Sequence, residues 1–215
     1  MNTMSENYLV FGATGGTGKH FIAKVLSDGH KVRALVRNPD KITKHANLEI
    51  IQGSATDNLD CDSLVKGVDA VVLMVGDRET QQSKMICLPL VKKLVPAMRT
   101  HGVKKMLYQA GGLSKPYGGE LSWLLWTLRY TIARGFDGQH RDNEAVMEYL
   151  ETEAKDIDWI VHRAGIGGDG PSKGVLKRSP TKFSVASHQD CANYNYRVMS
   201  EAEAVHTSHF SSYNV

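Results

Sequence analysis

Three glycines spaced by three, Gly12, Gly15 and Gly18, lie in the run Gly12-Ala13-Thr14-Gly15-Gly16-Thr17-Gly18. Directly after an apolar segment and before an amphipathic one, such a run turns sharply. It lets the backbone approach a ligand with no Cβ in the way and leaves N–H groups free at a helix start. Those are the needs of a dinucleotide pyrophosphate, and the hydroxyls of Thr14 and Thr17 add to them. A second strand about 20 residues on completes the context that gives the motif weight. The spacing is G-x-x-G-x-x-G, not the G-x-G-x-x-G of simple dehydrogenases. The second strand closes on Arg37-Asn38-Pro39, with no acid before Asp40. An acid there binds the ribose 2′-hydroxyl of NAD, whereas a cation receives the 2′-phosphate of NADP. Arg37 is assigned to that phosphate, with Asn38 beside it, Lys41 in support and Arg33 flanking the same strand end. The alternative for Arg37 is a solvated surface arginine. The expected cofactor is NADP(H).

A proton donor is harder to find. No tyrosine has a lysine four residues later, and the nearest imitation, Tyr130 with Arg134, sits in an apolar segment where packing is the expected role. His140, His162, Ser114 and Tyr117 remain as acid, base or hydroxyl candidates, each with a structural or surface role as its alternative. His206 and His209 read as surface residues, and Asp169, inside 167–171, as a turn former. No metal-ligand set such as H-E-x-x-H exists, so no metal is expected. Trp123 and Trp126 lie in a helix-period segment, 121–132, after a glycine-rich stretch, 111–119. They read as the wall of a pocket for a flat substrate, with a dimer contact or ordinary core as alternatives.

The elements that must hold these groups alternate. Apolar runs at 8–11, 31–36, 48–51, 68–75, 105–109 and 159–163 read as strands, the fourth buried on both faces. Helical periodicity covers 17–28, 80–100 and 139–153, with Pro89 and Pro96 expected to kink or split the second helix. A last helix is expected from Ser187, with Asp190 at the capping-box position. Right-handed crossovers then give an α/β doubly wound parallel sheet of Rossmann type in the order 3-2-1-4-5-6. One domain over 1–215 is expected, with 111–138 as a substrate lid or interface insertion.

Bulk properties exclude several classes. At 215 residues, 41% hydrophobic and 23% charged, the chain has the composition of an ordinary globular protein. A formal charge of +3 without a basic stripe argues against nucleic acid. Cys61, Cys87 and Cys191 are odd in number and in no CxxC spacing, which argues against disulfides and zinc. No signal peptide and no apolar run of roughly 20 residues is found. The expectation is a cytoplasmic monomer or homodimer that acts on a small molecule and engages no membrane.

Residues 12–18, 32–39, Gly53 followed by Asp57, and residues 68–76, 103–112 and 158–165 resemble the atypical short-chain dehydrogenase/reductases. Among these, the NmrA-like NAD(P)H-binding proteins and the biliverdin reductase B/flavin reductase-like proteins share the pattern. The resemblance implies that Asp57, with Asn58 beside it, contacts the adenine. It implies that Val75-Gly76 passes the adenine-side ribose and that Ala164-Gly165-Ile166 lies near the nicotinamide. The fifth strand ends Gln109-Ala110-Gly111, which joins the cofactor set, but the family's serine pair is missing from it. Ser114 replaces that pair only if the loop folds back, and His140 stands near the place of the family's helix lysine. The implied function is an NADPH-dependent reductase of a small conjugated molecule such as a quinone, flavin or enone. Such an acceptor takes hydride without the strong acid that a plain ketone needs. A non-catalytic NADP(H) sensor, or an isomerase, dehydratase or cyclase on the same fold, is the alternative.

Overall fold

A computed structural model of the chain describes residues 5–214. Six strands run parallel: β1 (Asn7–Phe11), β2 (Lys31–Val36), β3 (Leu48–Gln52), β4 (Ala70–Leu73), β5 (Lys105–Gly111) and β6 (Asp158–Gly168). Their order is β3-β2-β1-β4-β5-β6, which is the doubly wound order expected. Three strands in the C-terminal part extend it: β7 (Lys177–Ser179), β8 (Val185–Ser187) and β9 (Thr207–Ser212). Strand β9 lies parallel to β6, β7 closes that edge antiparallel to β9, and β8 pairs with the end of β6.

The helices are α1 (Gly16–Ser27), α2 (Cys61–Val65), α3 (Arg78–Ser83), α4 (Cys87–Thr100), α5 (Trp123–Tyr130), α6 (Asp137–Glu153) and α7 (His188–Val198). Side chains alternate across a strand, so each buried run serves two cores. Leu9, Phe11, Val71, Leu73, Tyr108 and Val161 pack beneath α2, α4 and α6. Tyr8, Val10, Ala34, Val72, Leu107 and Ile160 pack beneath α1 and α7. Ser187 caps α7 through its hydroxyl, which accepts from Asp190 N. Among the described residues no helix is long and apolar enough to cross a membrane. The three cysteines are free and buried.

The helix expected over 80–100 divides, but not at its prolines. It breaks at 84–86, between α3 and α4. Pro89 falls in the first turn of α4, where a missing N–H costs nothing. Ile86, at the head of α4, offers no side-chain cap. The fully buried carboxylate of Asp142 on α6 replaces one. It accepts from Ile86 N (2.8 Å), Cys87 N (2.9 Å) and Leu88 N (3.0 Å), and from the Gln81 amide of α3 (2.7 Å). One side chain therefore fixes α3, α4 and α6 together.

Candidate cofactor and catalytic site

The loop between β1 and α1 is shaped by backbone contact. Gly12 has φ +80°, and a Cβ there would lie 2.3 Å from Met74 O at the end of β4. A Cβ on Gly18 would lie 2.0 Å from Gly12 O, so α1 could not seat against the turn. Gly12 O accepts from Gly15 N at 3.0 Å, which closes the turn. No side chain caps α1, whose first N–H groups are left for an anion. A cleft of about 350 Å³ opens beside this loop, lined by Gly12, Thr14 and Gly15, by Val36, Arg37 and Lys41 from the end of β2, and by Val75-Gly76 after β4. Ser54, Thr56, Thr80 and Lys84 complete its polar wall. Glycines that no Cβ could replace, uncapped N–H groups and a ring of cations fit a dinucleotide's phosphates and ribose. Arg37 is 74% exposed and ion-paired with Asp77 at 3.1 Å. Asp77 caps α3, and that backbone bond from Thr80, with the nearby Arg37, holds its carboxyl below the usual range.

At the C-terminal end of β5 the chain folds back and is pinned by Ser114 N to Gly111 O at 2.9 Å. This brings Ser114 Oγ within 3.2 Å of His140 Nδ1 on α6. Asn143 donates to the same hydroxyl at 3.1 Å and accepts from Tyr108 at 2.5 Å. Ser114 Oγ accepts from Asn143 and has no other acceptor for its own proton among the described residues, so we assign that proton to His140 Nδ1, which leaves the imidazole proton on Nε2. His140 Nε2 is buried with no partner among the described residues. Burial, and then the Arg129 charge, pull the His140 pKa down to about 4, so the ring is neutral near pH 7. The site is next to the cleft: the amide of the preceding residue, Gln139, lies over Gly76 of the cleft wall.

His162 points to the other side of the sheet. It is fully buried, with Nδ1 2.6 Å from Asn195 Oδ1 and Nε2 2.8 Å from Ser211 Oγ. Both nitrogens are spent in the interior, so a catalytic part for His162 is corrected to a structural one. From Asn195 the bonds continue to Gln109 (2.7 Å) and on to Thr17 of the glycine loop (3.4 Å). The chain orients Gln109 at the tip of β5.

A model of the NAD(P)H-binding family matches residues 12–202. The chain belongs to that family. A 3 beta-hydroxysteroid dehydrogenase/Delta 5-->4-isomerase of Mycobacterium tuberculosis is 26% identical over 185 residues, 79% of this chain and 50% of that protein. The chain thus spans about half the length of that curated relative. The anaerobillin reductase ChuY of Escherichia coli O157:H7 superposes with a TM-score of 0.74 at 16% identity, over 95% of this chain and 96% of that one. A short-chain dehydrogenase/reductase of Veillonella parvula in complex with NADP gives a TM-score of 0.72 at 14% identity, over 98% and 96%. The fold of this NAD(P)H-binding protein is the one those two structures share, and the cofactor of its family is a nicotinamide dinucleotide.

The other expected site residues of this family member make the following contacts within the chain. Asn38 does not line the cleft; its side chain accepts from Asp40 N and caps the turn after β2. Arg33 reaches away, to Glu49 and the carbonyls of Leu64 and Lys66. Asp57 closes its own loop by accepting from Ser54 N at 2.7 Å, and it borders a smaller hollow beside the main cleft; Asn58 accepts from Lys93. Ala110 and Ala164 are buried, while Gly165 and Ile166 pair with β8. Tyr117 is half exposed. Trp123 and Trp126 sit on a helix, as expected, but face outward at 80% and 55% exposed, because Leu125 and Arg129 take its inner face. They line neither the main cleft nor the hollow beside it. Asp169 is more than a turn former: it pairs with Lys19 at 2.9 Å. His209 is buried and so is not the surface residue expected, whereas His206 is exposed, as expected, with its ring 2.8 Å from Ile157 O. Sequence reasoning missed Lys84, Gln139, Phe183 and His188. The Phe183 ring covers Gly112 and Gly165, and the His188 ring packs on Gly16. No local pattern marks any of them.

Proposed function

We propose that this protein is an NADPH-dependent reductase of a small conjugated acceptor, with His140 as the group that engages the acceptor's oxygen. The observation that carries the reading is the Ser114–His140 pair beside the cleft. When bound, the reduced nicotinamide supplies the hydride. The loop 12–18 holds the pyrophosphate, and Arg37 with Lys41 receives the 2′-phosphate. Ser114 holds His140 in one tautomer, so that the buried Nε2–H is left as a donor with no partner among the described residues. A neutral imidazole is a weak acid, suited to polarising the oxygen of an enone or quinone. Asn143 and Tyr108 fix the serine in turn.

The test is NADPH oxidation with quinones, flavins and enones. Turnover of one of these, falling about 100-fold in kcat in both Ser114→Ala and His140→Ala with NADPH affinity unchanged, supports the reading. Efficient turnover of a plain ketone alone, or full activity in both variants, sinks it. For the cofactor, Arg37→Ala is expected to weaken NADPH about tenfold, the worth of one charge-assisted contact, and to leave NADH untouched. Equal losses for the two cofactors in a fluorescence titration would remove Arg37 from the phosphate site.

A sensor that binds NADP(H) without turnover is favoured by one observation. Trp123, Leu124, Trp126 and Ile132 expose an apolar surface on and just beyond α5, of the kind that meets another protein. Tight NADPH binding with no acceptor turned over would move the assignment there.

A further inference from the structure

Two guanidinium groups are buried on the α6 face of the sheet, and they are treated very differently. Arg129 is 5% exposed and bound by Glu144 and Asp137. Arg163, on β6, is 4% exposed and has no carboxylate partner among the described residues. Among the described residues its one polar contact is from Nη1 to the backbone oxygen of Ser114 at 3.2 Å, and Nε is buried without a partner. The guanidinium carbon lies over the Phe210 ring, 3.8 Å from its centre. Burial alone pulls its pKa down to about 10, so it is charged at neutral pH. A buried cation without a counter-charge is costly, and a fold tolerates it where a ligand's charge completes it.

The place is informative. The Ser114 backbone oxygen meets Arg163 and the Ser114 hydroxyl meets His140, so a single residue joins the two. Nη1 is the nitrogen already used. That leaves the Nε–Nη2 edge, whose parallel donors match the two oxygens of a carboxylate. The half-buried Phe183 ring stands over this region, edge-on to Phe210 at 5.5 Å and against Gly112 and Gly165.

We propose that Arg163 is the receptor for a carboxylate on the substrate, so that the conjugated acceptor handled at His140 is an organic acid. This rests on the reductase reading for its second half, but the anion site itself is testable without turnover. Because Nε is buried, a neighbouring side chain must swing aside for the acid to enter, and we assign that movement to Phe183, which packs edge-on to Phe210.

The probes are trans-cinnamate and trans-cinnamamide, planar conjugated molecules that differ in the charged group, titrated into the NADP⁺-loaded protein by calorimetry at pH 7.5. Cinnamate is expected to bind at least tenfold more tightly than cinnamamide. Arg163→Gln should abolish that preference and leave NADP⁺ affinity unchanged. Where that variant fails to fold, Arg163→Lys keeps the charge without the fork and should cut the preference at least threefold. Equal binding of acid and amide by the wild type, or a preference that survives either substitution intact, overturns the proposal. A preference found in a protein that oxidises NADPH with no acceptor leaves the anion site standing and removes only the reductase reading.

Discussion

Asp142→Ala is expected to lower stability by about 3–5 kcal/mol, the scale of removing one side of a buried charged network. The loss has a definite origin. Three N–H groups at the start of α4 and the Gln81 amide would keep their burial and lose their acceptor. The dipole of a 14-residue helix would also lose the negative charge at its positive end. For a chain of this size the fall in Tm is roughly 10 °C. Asp142→Asn keeps one acceptor oxygen but turns an amide NH2 toward N–H donors, and should lie between the two. Urea unfolding with an unchanged slope is the measurement. A loss below about 1 kcal/mol would mean that water enters and replaces the carboxylate.

Acid should destabilise the protein well above the carboxylate range. Burial holds His140 and His162 down to about 4 and His209 to about 3. In the unfolded chain each titrates near 6.5, so between about pH 6.5 and 4 the unfolded state binds more protons. Stability is therefore highest above pH 6.5 and falls as the pH drops through that window. At pH 5 the three together account for a loss on the order of 5 kcal/mol. Urea midpoints at pH 7.5, 6 and 5 test this. A flat profile would show that at least two of these rings take up protons in the folded state. The lowered carboxyls, such as Asp77 and Asp190, act only at lower pH.

Where structure is local, the sequence was readable. Strand β2 spans the residues its composition indicated, and the order of the first six strands followed from alternation and handedness. The C-terminal strands were not readable. Lys177–Ser179, Val185–Ser187 and Thr207–Ser212 are short, and they become strands only because β6 offers an edge to β8 and β9, and β9 in turn to β7. His209 looked like a surface residue for the same reason. Helix α5 was visible as a helix, but with aromatic or apolar residues all round it the pattern did not say which side faces in. Ser114 and His140 are 26 residues apart, and the turn after β5 that brings them together has no periodicity to reveal it. Asn38 was placed at the cofactor by its position at the end of the second strand and Asp57 by resemblance; the structure adds that both short side chains accept from neighbouring backbone N–H groups.

The antiparallel strand β7 has a consequence for association. It ends one side of the sheet with three residues, Lys177, Arg178 and Ser179, two of them cationic. A strand so short and so charged is a poor template for a further strand from another molecule. Joining two copies edge to edge into one continuous sheet is disfavoured there, so contact between copies on that side must be made by helices or loops.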